Sequence, residues 1–310
     1  MTKQASHTLS LTGFLITLIG AILFSTKAII VKIAFAKTSV DALTLLTMRM
    51  LFSLPFYLVA AWIGSRNKNH SRFTSRQWVN IILLGLFGYY LSSLFDFVGL
   101  QYISAGLERL ILFLYPTFAL LINLFFFRQK ITRIQQWALL LTYAGIALAY
   151  YGELTIDTSN KNFFYGSFLI FLCAITYATY IVGSGRIIPQ VGATKFTAYA
   201  MLASTTGVFI HFAIKGSLHQ LENAASYWSY GISLAVIATV IPTFLISTGM
   251  KKIGSNNVAI ISGIGPVSTI IQANLILGEK IFITQIIGTI LVVVGVLLIG
   301  WKTGKNLEPT

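Results

Sequence analysis

Apolar runs of about 20 residues recur from one end of this 310-residue chain to the other, the length needed to cross a bilayer. Inside hydrocarbon no water reaches backbone N–H and C=O groups, so a crossing segment must satisfy them internally. A helix does so within one segment. A barrel needs short strands of alternating polarity, and these runs are too long and too uniform for that. Mean hydropathy is +0.80 and only 10% of residues are charged, too few to cover a soluble domain. The longest polar stretches, residues 64–76 and 152–162, suffice only for loops.

Ten spans are expected, at about residues 11–36, 42–63, 78–102, 104–127, 134–151, 163–185, 193–214, 230–250, 257–277 and 281–301. Ala34-Phe35-Ala36 imitates a signal-peptidase site, but the run before it is long for a signal core and holds Lys27 and Lys32, so it is read as a retained first helix. With the N-terminus on the cytoplasmic side, the inner segments carry 14 of the 22 basic residues and the outer ones 4 (Lys37, Lys161, Lys215, Lys280). That bias places both ends in the cytoplasm, with a bacterial inner membrane as the expected location. The net charge of +14 thus marks inner loops and gives no cause to expect nucleic acid as a partner.

The chain also repeats itself. Tyr115-Pro116, Lys130-Ile131, Gln135 and Gly145 recur as Gly265-Pro266, Lys280-Ile281, Gln285 and Gly295, each 150 positions on. At the start of each half the match is weaker and the offset slightly different: Gly13, Ala21 and Phe24 correspond to Gly166, Ala174 and Tyr177. Five helices per half is an odd number, so the second copy must cross in the opposite sense. The expectation is an all-α integral membrane protein of ten transmembrane helices in two inverted-topology five-helix repeats, residues 1–152 and 153–310. Such halves are able to rock around a site held between them, which points to transport.

Six ionisable residues fall inside the spans: Lys27, Lys32, Arg49, Asp96, Glu108 and Arg109. Each costs about 2.5–3.5 kcal/mol at the centre of a span, so such groups face the protein interior or water. Asp96 and Glu108 flank the turn near residues 102–103 by six residues each, which sets both about 9 Å deep. Lys27 lies about 13 Å deep in the first span, Arg49 belongs to the same layer, and Lys32 is close enough to the surface to snorkel. Three cations and two anions leave one positive charge over. Two readings stand side by side. One is a site for a carboxylate-bearing or zwitterionic metabolite, with Asp96 or Glu108 as the carrier of a coupling proton. The other is an internal salt-bridge cluster locking the first four helices, with Asp96 and Arg109 satisfying each other. The positions 150 residues on from Glu108 and Arg109 are Val258 and Ala259, so the charge belongs to one half only.

Arg109, Pro116 and Asn123 recur every seven residues and share a face of the fourth span. Ser262, Pro266 and Thr269 do so in the ninth, beside Gly263 and Gly265. Each proline removes an internal hydrogen bond, so both spans are expected to bend near mid-membrane and to line a central cavity. Tyr90, Tyr115, Tyr177 and Tyr180 are further lining candidates, the last two on one side of the sixth span. Pro55 and Pro242 are expected to kink the second and eighth spans.

Other chemistries lack their residues. The single cysteine, Cys173, excludes an intramolecular disulfide framework. His7, His70, His211 and His219 have no metal-ligand spacing, and no glycine-rich phosphate loop is present. No cofactor or metal is expected. A membrane-embedded lipid-modifying enzyme and a non-transporting receptor remain as alternatives to transport.

The ten-helix plan, the duplication, the segment Phe97-Val98-Gly99-Leu100-Gln101-Tyr102-Ile103-Ser104-Ala105, Tyr115-Pro116, Gly265-Pro266 and Leu277-Gly278-Glu279-Lys280 together resemble the EamA-like branch of the drug/metabolite transporter superfamily. The resemblance spans nearly the whole chain. It implies a cavity between two five-helix halves, alternating access, and a small substrate such as an amino acid or related metabolite, commonly exported. Helices 4 and 9 of that family often end in glutamate. Glu279 fits, whereas Gln129 stands at the matching position of the first copy.

Overall fold

The computed structural model describes residues 11–66, 73–127, 133–154, 161–216 and 227–305. Lys3, His7, Lys68, His70, Arg72, Arg128, Gln129, Lys130, Ile131 and His219 lie outside them. The described residues are helical, joined by short turns, with no strand among them. Seven helices are long and apolar enough to cross a membrane, and three shorter apolar helices accompany them at Leu140–Ala149, Ile264–Leu277 and Ile283–Gly295. The chain is an integral membrane protein.

The first two helices are α1 (Leu11–Lys37) and α2 (Ala42–Arg66). Asp41 starts α2: its carboxylate accepts from Thr44 N at 2.8 Å and from the Thr44 hydroxyl at 2.7 Å. The third span is composite, α3 (Ser75–Gly85), a π-helical segment Leu86–Leu91, and α4 (Ser92–Gly99). A capping box between Thr74 and Gln77 opens it.

Ser104 caps α5 (Ala105–Leu112) through Leu107 N, and the chain then breaks at Phe113-Leu114 before α6 (Tyr115–Phe127). Pro116 explains the break. It has no N–H for the Leu112 carbonyl, and Leu114 N turns to Ile111 O instead, an i−3 bond of 3.0 Å. Helix α7 (Arg133–Leu154) completes the first half of the chain.

The second half runs α8 (Phe163–Val191), α9 (Ala193–Lys215), α10 (Trp228–Ala235), a π segment Val236–Val240, α11 (Ile241–Ile261), α12 (Ile264–Gln272), a π segment Ala273–Leu277, and α13 (Ile283–Lys305). Helix α8 extends six residues beyond its expected end, and Gly192 turns the chain with φ 86°. Pro266 accounts for the gap before α12, where Gly265 N bonds Ser262 O at 2.9 Å. The expected loop between the eighth and ninth spans takes helical backbone instead. The chain nevertheless folds back inside α11, because a Cβ on Gly249 would stand 3.5 Å from Val258 Cγ2. Nine residues of straight helix would separate the two by about 13 Å.

Two features recur at the sequence offset. The helix breaks at residues 113–114 and 262–263 lie 149 apart, and the π segments Leu86–Leu91 and Val236–Val240 begin 150 apart. The π segments have no counterpart in the sequence reading. Pro242, expected to kink its helix, stands one residue beyond the end of the second, after Ile241, whereas Ser92 occupies the position 150 residues earlier.

Helices α7 and α13 pack closely, bringing the ends of the two halves together. A Cβ on Gly145 would meet Gly288 O at 2.5 Å, and one on Gly288 would meet Gly145 O at 2.5 Å. Two backbones touch where neither residue has a side chain, a contact that dispersion stabilises in lipid. Gly288→Leu is therefore expected to force the helices apart and cost about 1–3 kcal/mol, the usual range for overpacking. A lowered unfolding temperature of the purified variant in detergent checks this, with Gly185→Leu, where open space surrounds the Cβ, as the neutral comparison.

Candidate functional site

The buried charges collect where α1, α2, α4 and α5 meet. Lys27 on α1 places its Nζ 2.8 Å from Asp96 Oδ2 on α4 and 3.7 Å from Glu108 Oε1 on α5. Asp96 and Glu108 are 1% and 0% exposed, and this ammonium is the cation that both share. The equal depth expected of the two carboxylates on either side of the turn accounts for the pairing.

Arg49 and Arg109 are also buried, at 2% and 7% exposure, and neither makes an ion pair among the described residues. The two solve the problem differently. Arg49 donates from Nε to Thr239 Oγ1 at 2.8 Å and from Nη1 to Ser93 Oγ at 3.2 Å, and its guanidinium lies 5.5 Å from the Phe97 ring centre. Thr239 in turn donates to Leu234 O at 2.7 Å, inside the second π segment. Arg49 thus ties the first half of the chain to the second through neutral oxygens.

Arg109 has no such acceptor. Its Nε is buried without a partner, and its guanidinium stacks 5.6 Å from the Phe24 ring centre. The mutual satisfaction of Arg109 and Asp96 expected in the salt-bridge reading does not occur, because Lys27 has taken the carboxylate. A cation over an aromatic ring gains about 0.5–2 kcal/mol. Desolvating the ion costs several kcal/mol. The neighbouring Glu108 carboxylate adds electrostatic attraction without forming an ion pair with Arg109. Lys27 Nζ also sits 5.5 Å from the Phe24 centre, so one ring serves two cations.

Two small adjoining cavities open beside this cluster, sharing Phe24, Tyr89 and Tyr177. The first is lined also by Lys27, Arg49, Ser92, Ser93 and Cys173, and the second by Tyr180, Ser184, Thr197, Thr243 and Ser247. Each has room for about one or two water molecules, so an organic metabolite enters only if helices separate. Tyr177 stacks on Tyr180 at 6.2 Å and meets Tyr115 edge-on at 5.1 Å, while Tyr89 meets Tyr180 edge-on at 4.9 Å.

Of the residues singled out in the sequence, Lys27, Arg49, Tyr177 and Tyr180 line these cavities, and Asp96, Glu108, Arg109 and Tyr115 stand against their walls through the contacts above. Pro116, Asn123, Ser262, Gly263, Gly265, Pro266 and Thr269 do not line either cavity. The break at 113–114 separates Arg109 from Pro116 and Asn123, so seven-residue spacing no longer marks one continuous face. Tyr90 is displaced by its neighbour. The π turn points Tyr89 inward, and Tyr90 bonds His211 Nδ1 at 3.1 Å. Lys32 donates its ammonium to Leu100 O at 3.3 Å and Ile103 O at 2.9 Å, in the turn that ends the third span. Sequence reasoning missed Phe24 as a cation platform and Ser93 and Thr239 as partners of Arg49. Glu279 takes a place at the N-terminus of α5, accepting from Ala105 N at 3.1 Å and Gly106 N at 3.4 Å.

The charge pattern orders the cost of substitution. Lys27→Met strands two buried carboxylates and is expected to cost about 3–5 kcal/mol. Thr239→Val removes one neutral acceptor from Arg49 and is expected to cost about 1–3 kcal/mol. Thermal unfolding of the two purified variants gives their rank.

Known proteins match along the same length. The EamA-like transporter family matches residues 11–151 and again 164–301. A relative from Bacillus subtilis (strain 168), named uncharacterized transporter YcbK, is 32% identical over 306 residues, 95% of each chain. Another transporter of that organism, YyaM, is 24% identical over 71% of this chain and 72% of its own. A WAT1-related protein of Arabidopsis thaliana is 20% identical over 78% of this chain and 69% of its own. A solved crystal structure shares the fold, with a TM-score of 0.66 at 19% identity, covering 96% of this chain and 99% of that one. With buried charge inside an apolar bundle and a family match across both halves, the chain belongs to the EamA-like transporter family.

Proposed function

We propose that the protein is a secondary transporter of a small organic metabolite, an amino acid or a related carboxylate or zwitterion, and that it exports it. The observation that carries this reading is the group of five ionisable side chains buried beside a narrow cavity, with two guanidinium groups that make no direct ion pair among the described residues. A scaffold alone gains little from such groups, since apolar residues would pack there at lower cost. A ligand carboxylate gives an arginine the partner it lacks, and a ligand ammonium is able to compete with Lys27 for Asp96 and Glu108. Displacement of Lys27 makes those carboxylates the candidate carriers of a coupling proton.

Movement follows from the arrangement of the halves. On this reading residues 1–152 and 153–310 form inverted repeats of five helices each, and access alternates between the two sides. The separate family matches to each half and the paired π segments support it. In the described conformation Lys32 holds the turn at 100–103 and Glu279 caps α5, which keeps that end of the bundle shut. The 14-to-4 bias of basic residues supports cytoplasmic termini in a bacterial inner membrane.

Proteoliposomes loaded with labelled amino acids and short carboxylates test the function. The expected result is saturable flux that responds to a pH gradient and falls at least about tenfold in Arg49→Gln, the loss of one charge-assisted contact. Absence of flux across the panel argues against the reading. Single cysteines placed near the two termini should react with impermeant maleimide only after the cytoplasmic face is exposed; labelling of the termini from opposite faces is incompatible with ten spans.

A further inference from the structure

We infer that the buried charge cluster communicates with the end of the bundle where α8 turns into α9 through a seam between two blocks of helices, and that the hydrogen bond between Thr197 and Ser247 is the gate of that seam. The cavities beside the cluster form a line. Cys173, Tyr177, Tyr180, Ile181, Ser184 and Ile188 line one or both of them, follow one face of α8, and mark out about 22 Å along its axis. The line leads from Lys27 and Arg49 toward Gly192, the turn into α9. Along its second part the polar groups of the wall are hydroxyls, those of Ser184, Thr197, Thr243 and Ser247 beside the tyrosines. Thr239, the acceptor of Arg49, begins a row at four-residue spacing: Thr243 donates to Thr239 O, and Ser247 follows one turn on.

Packing divides the helices at this end into two blocks. In one, Gln77 of α3 donates to Gln190 of α8 at 3.0 Å, and Ser65 of α2 and Tyr199 of α9 share a hydrogen bond of 2.9 Å. The Lys195 ammonium of α9 covers the Phe73 ring, just before α3, at 4.3 Å. In the other block α1 and α11 touch where glycine lets them: a Cβ on Gly20 would stand 3.0 Å from Leu245 Cβ, and one on Gly249 would collide with Thr17. The second cavity lies between the blocks, with Ser184 and Thr197 on one side and Phe24, Thr243 and Ser247 on the other. Two neutral contacts join the blocks there, the Thr197–Ser247 hydrogen bond of 3.3 Å and the Tyr57 ring on Phe244 at 5.9 Å. The opposite end is held by Lys32 on two carbonyls and Glu279 on two amides. Charge-assisted bonds of that kind are about twice as strong as neutral ones. The seam therefore parts more easily at the α8–α9 end, which is the cytoplasmic side in the proposed orientation and the side from which an exported solute loads.

The gate rests on the transport reading, but its test needs no substrate, so its failure and a failure of flux are separately visible. Full-length protein with one added cysteine is exposed, in sealed membrane vesicles of either orientation, to the impermeant reagent trimethylammonium-ethyl methanethiosulfonate. The unmodified protein is the blank for Cys173. From the cytoplasmic face, Thr243→Cys and Ser184→Cys should react at least about tenfold faster than Thr179→Cys, which lies on α8 but lines neither cavity, because only a thiol that meets water ionises. Both should react more slowly from the opposite face. Adding Thr197→Val or Ser247→Ala to Thr243→Cys should speed its reaction about two- to tenfold, the population shift that one neutral hydrogen bond allows. Rates no greater than that of Thr179→Cys, or greater from the opposite face, overturn the seam. An unchanged rate in a folded gate variant overturns the gate. Labelling as expected without flux across the panel leaves the seam standing and counts against the proposed solute alone. Should Thr197→Val fail to fold, Ser247→Ala carries the comparison.

Discussion

Lys27 reaches from α1 to Asp96 on α4 and Glu108 on α5, and much of the first half is organised by that reach. Buried carboxylates in a lipid-spanning bundle are tolerable only beside a cation, and here two depend on one ammonium. The constraint sets the depth at which α4 and α5 pair. It also leaves the arginines to feel the acidic side chains at longer range, without a direct ion pair among the described residues. Arg49 finds neutral hydroxyls on two other helices, while Arg109 is left with an aromatic face and a glycine. The distribution of partners, rather than the number of charges, decides which parts of the cluster hold helices together.

Much of this was legible in the chain. The apolar runs located the helices, because lipid leaves backbone groups no other solution. The prolines located both interruptions, because the missing N–H acts on a carbonyl four residues earlier. Equal spacing around the third turn placed Asp96 and Glu108 at one depth. The partner of each charge was not legible. Lys27, Arg49 and Arg109 are all long and lie in one layer, so depth alone does not say which carboxylate meets which cation. That choice depends on rotation about each helix axis. The π segments shift this rotation by an extra residue in one turn, which is why Tyr89 rather than Tyr90 faces the cavity. Seven-residue spacing in the fourth span failed for a related reason, since a face is continuous only along an unbroken helix.

The contrast between the two halves is chemical. They share break points, one π segment each at matching places and a proline at each break, while the charged residues of the cavities, Lys27 and Arg49, come from the first half. The second half answers with hydroxyl-bearing residues, Ser184, Thr197, Thr243 and Ser247 in the cavity wall and Thr239 against Arg49. Contacts across the halves therefore join unlike groups: a guanidinium to a threonine, a guanidinium to a bare backbone, a carboxylate to a helix start. Such a seam is held by directional contacts between few atoms, and separating it exposes groups that water or a polar solute is able to solvate.

The matched π segments act as aiming devices. A π turn carries an extra residue, so it turns every side chain beyond it about the axis relative to an unbroken α-helix. Thr239 supplies an acceptor where Tyr89, 150 positions earlier, supplies an aromatic wall, so one backbone irregularity presents different chemistry in each half of the chain.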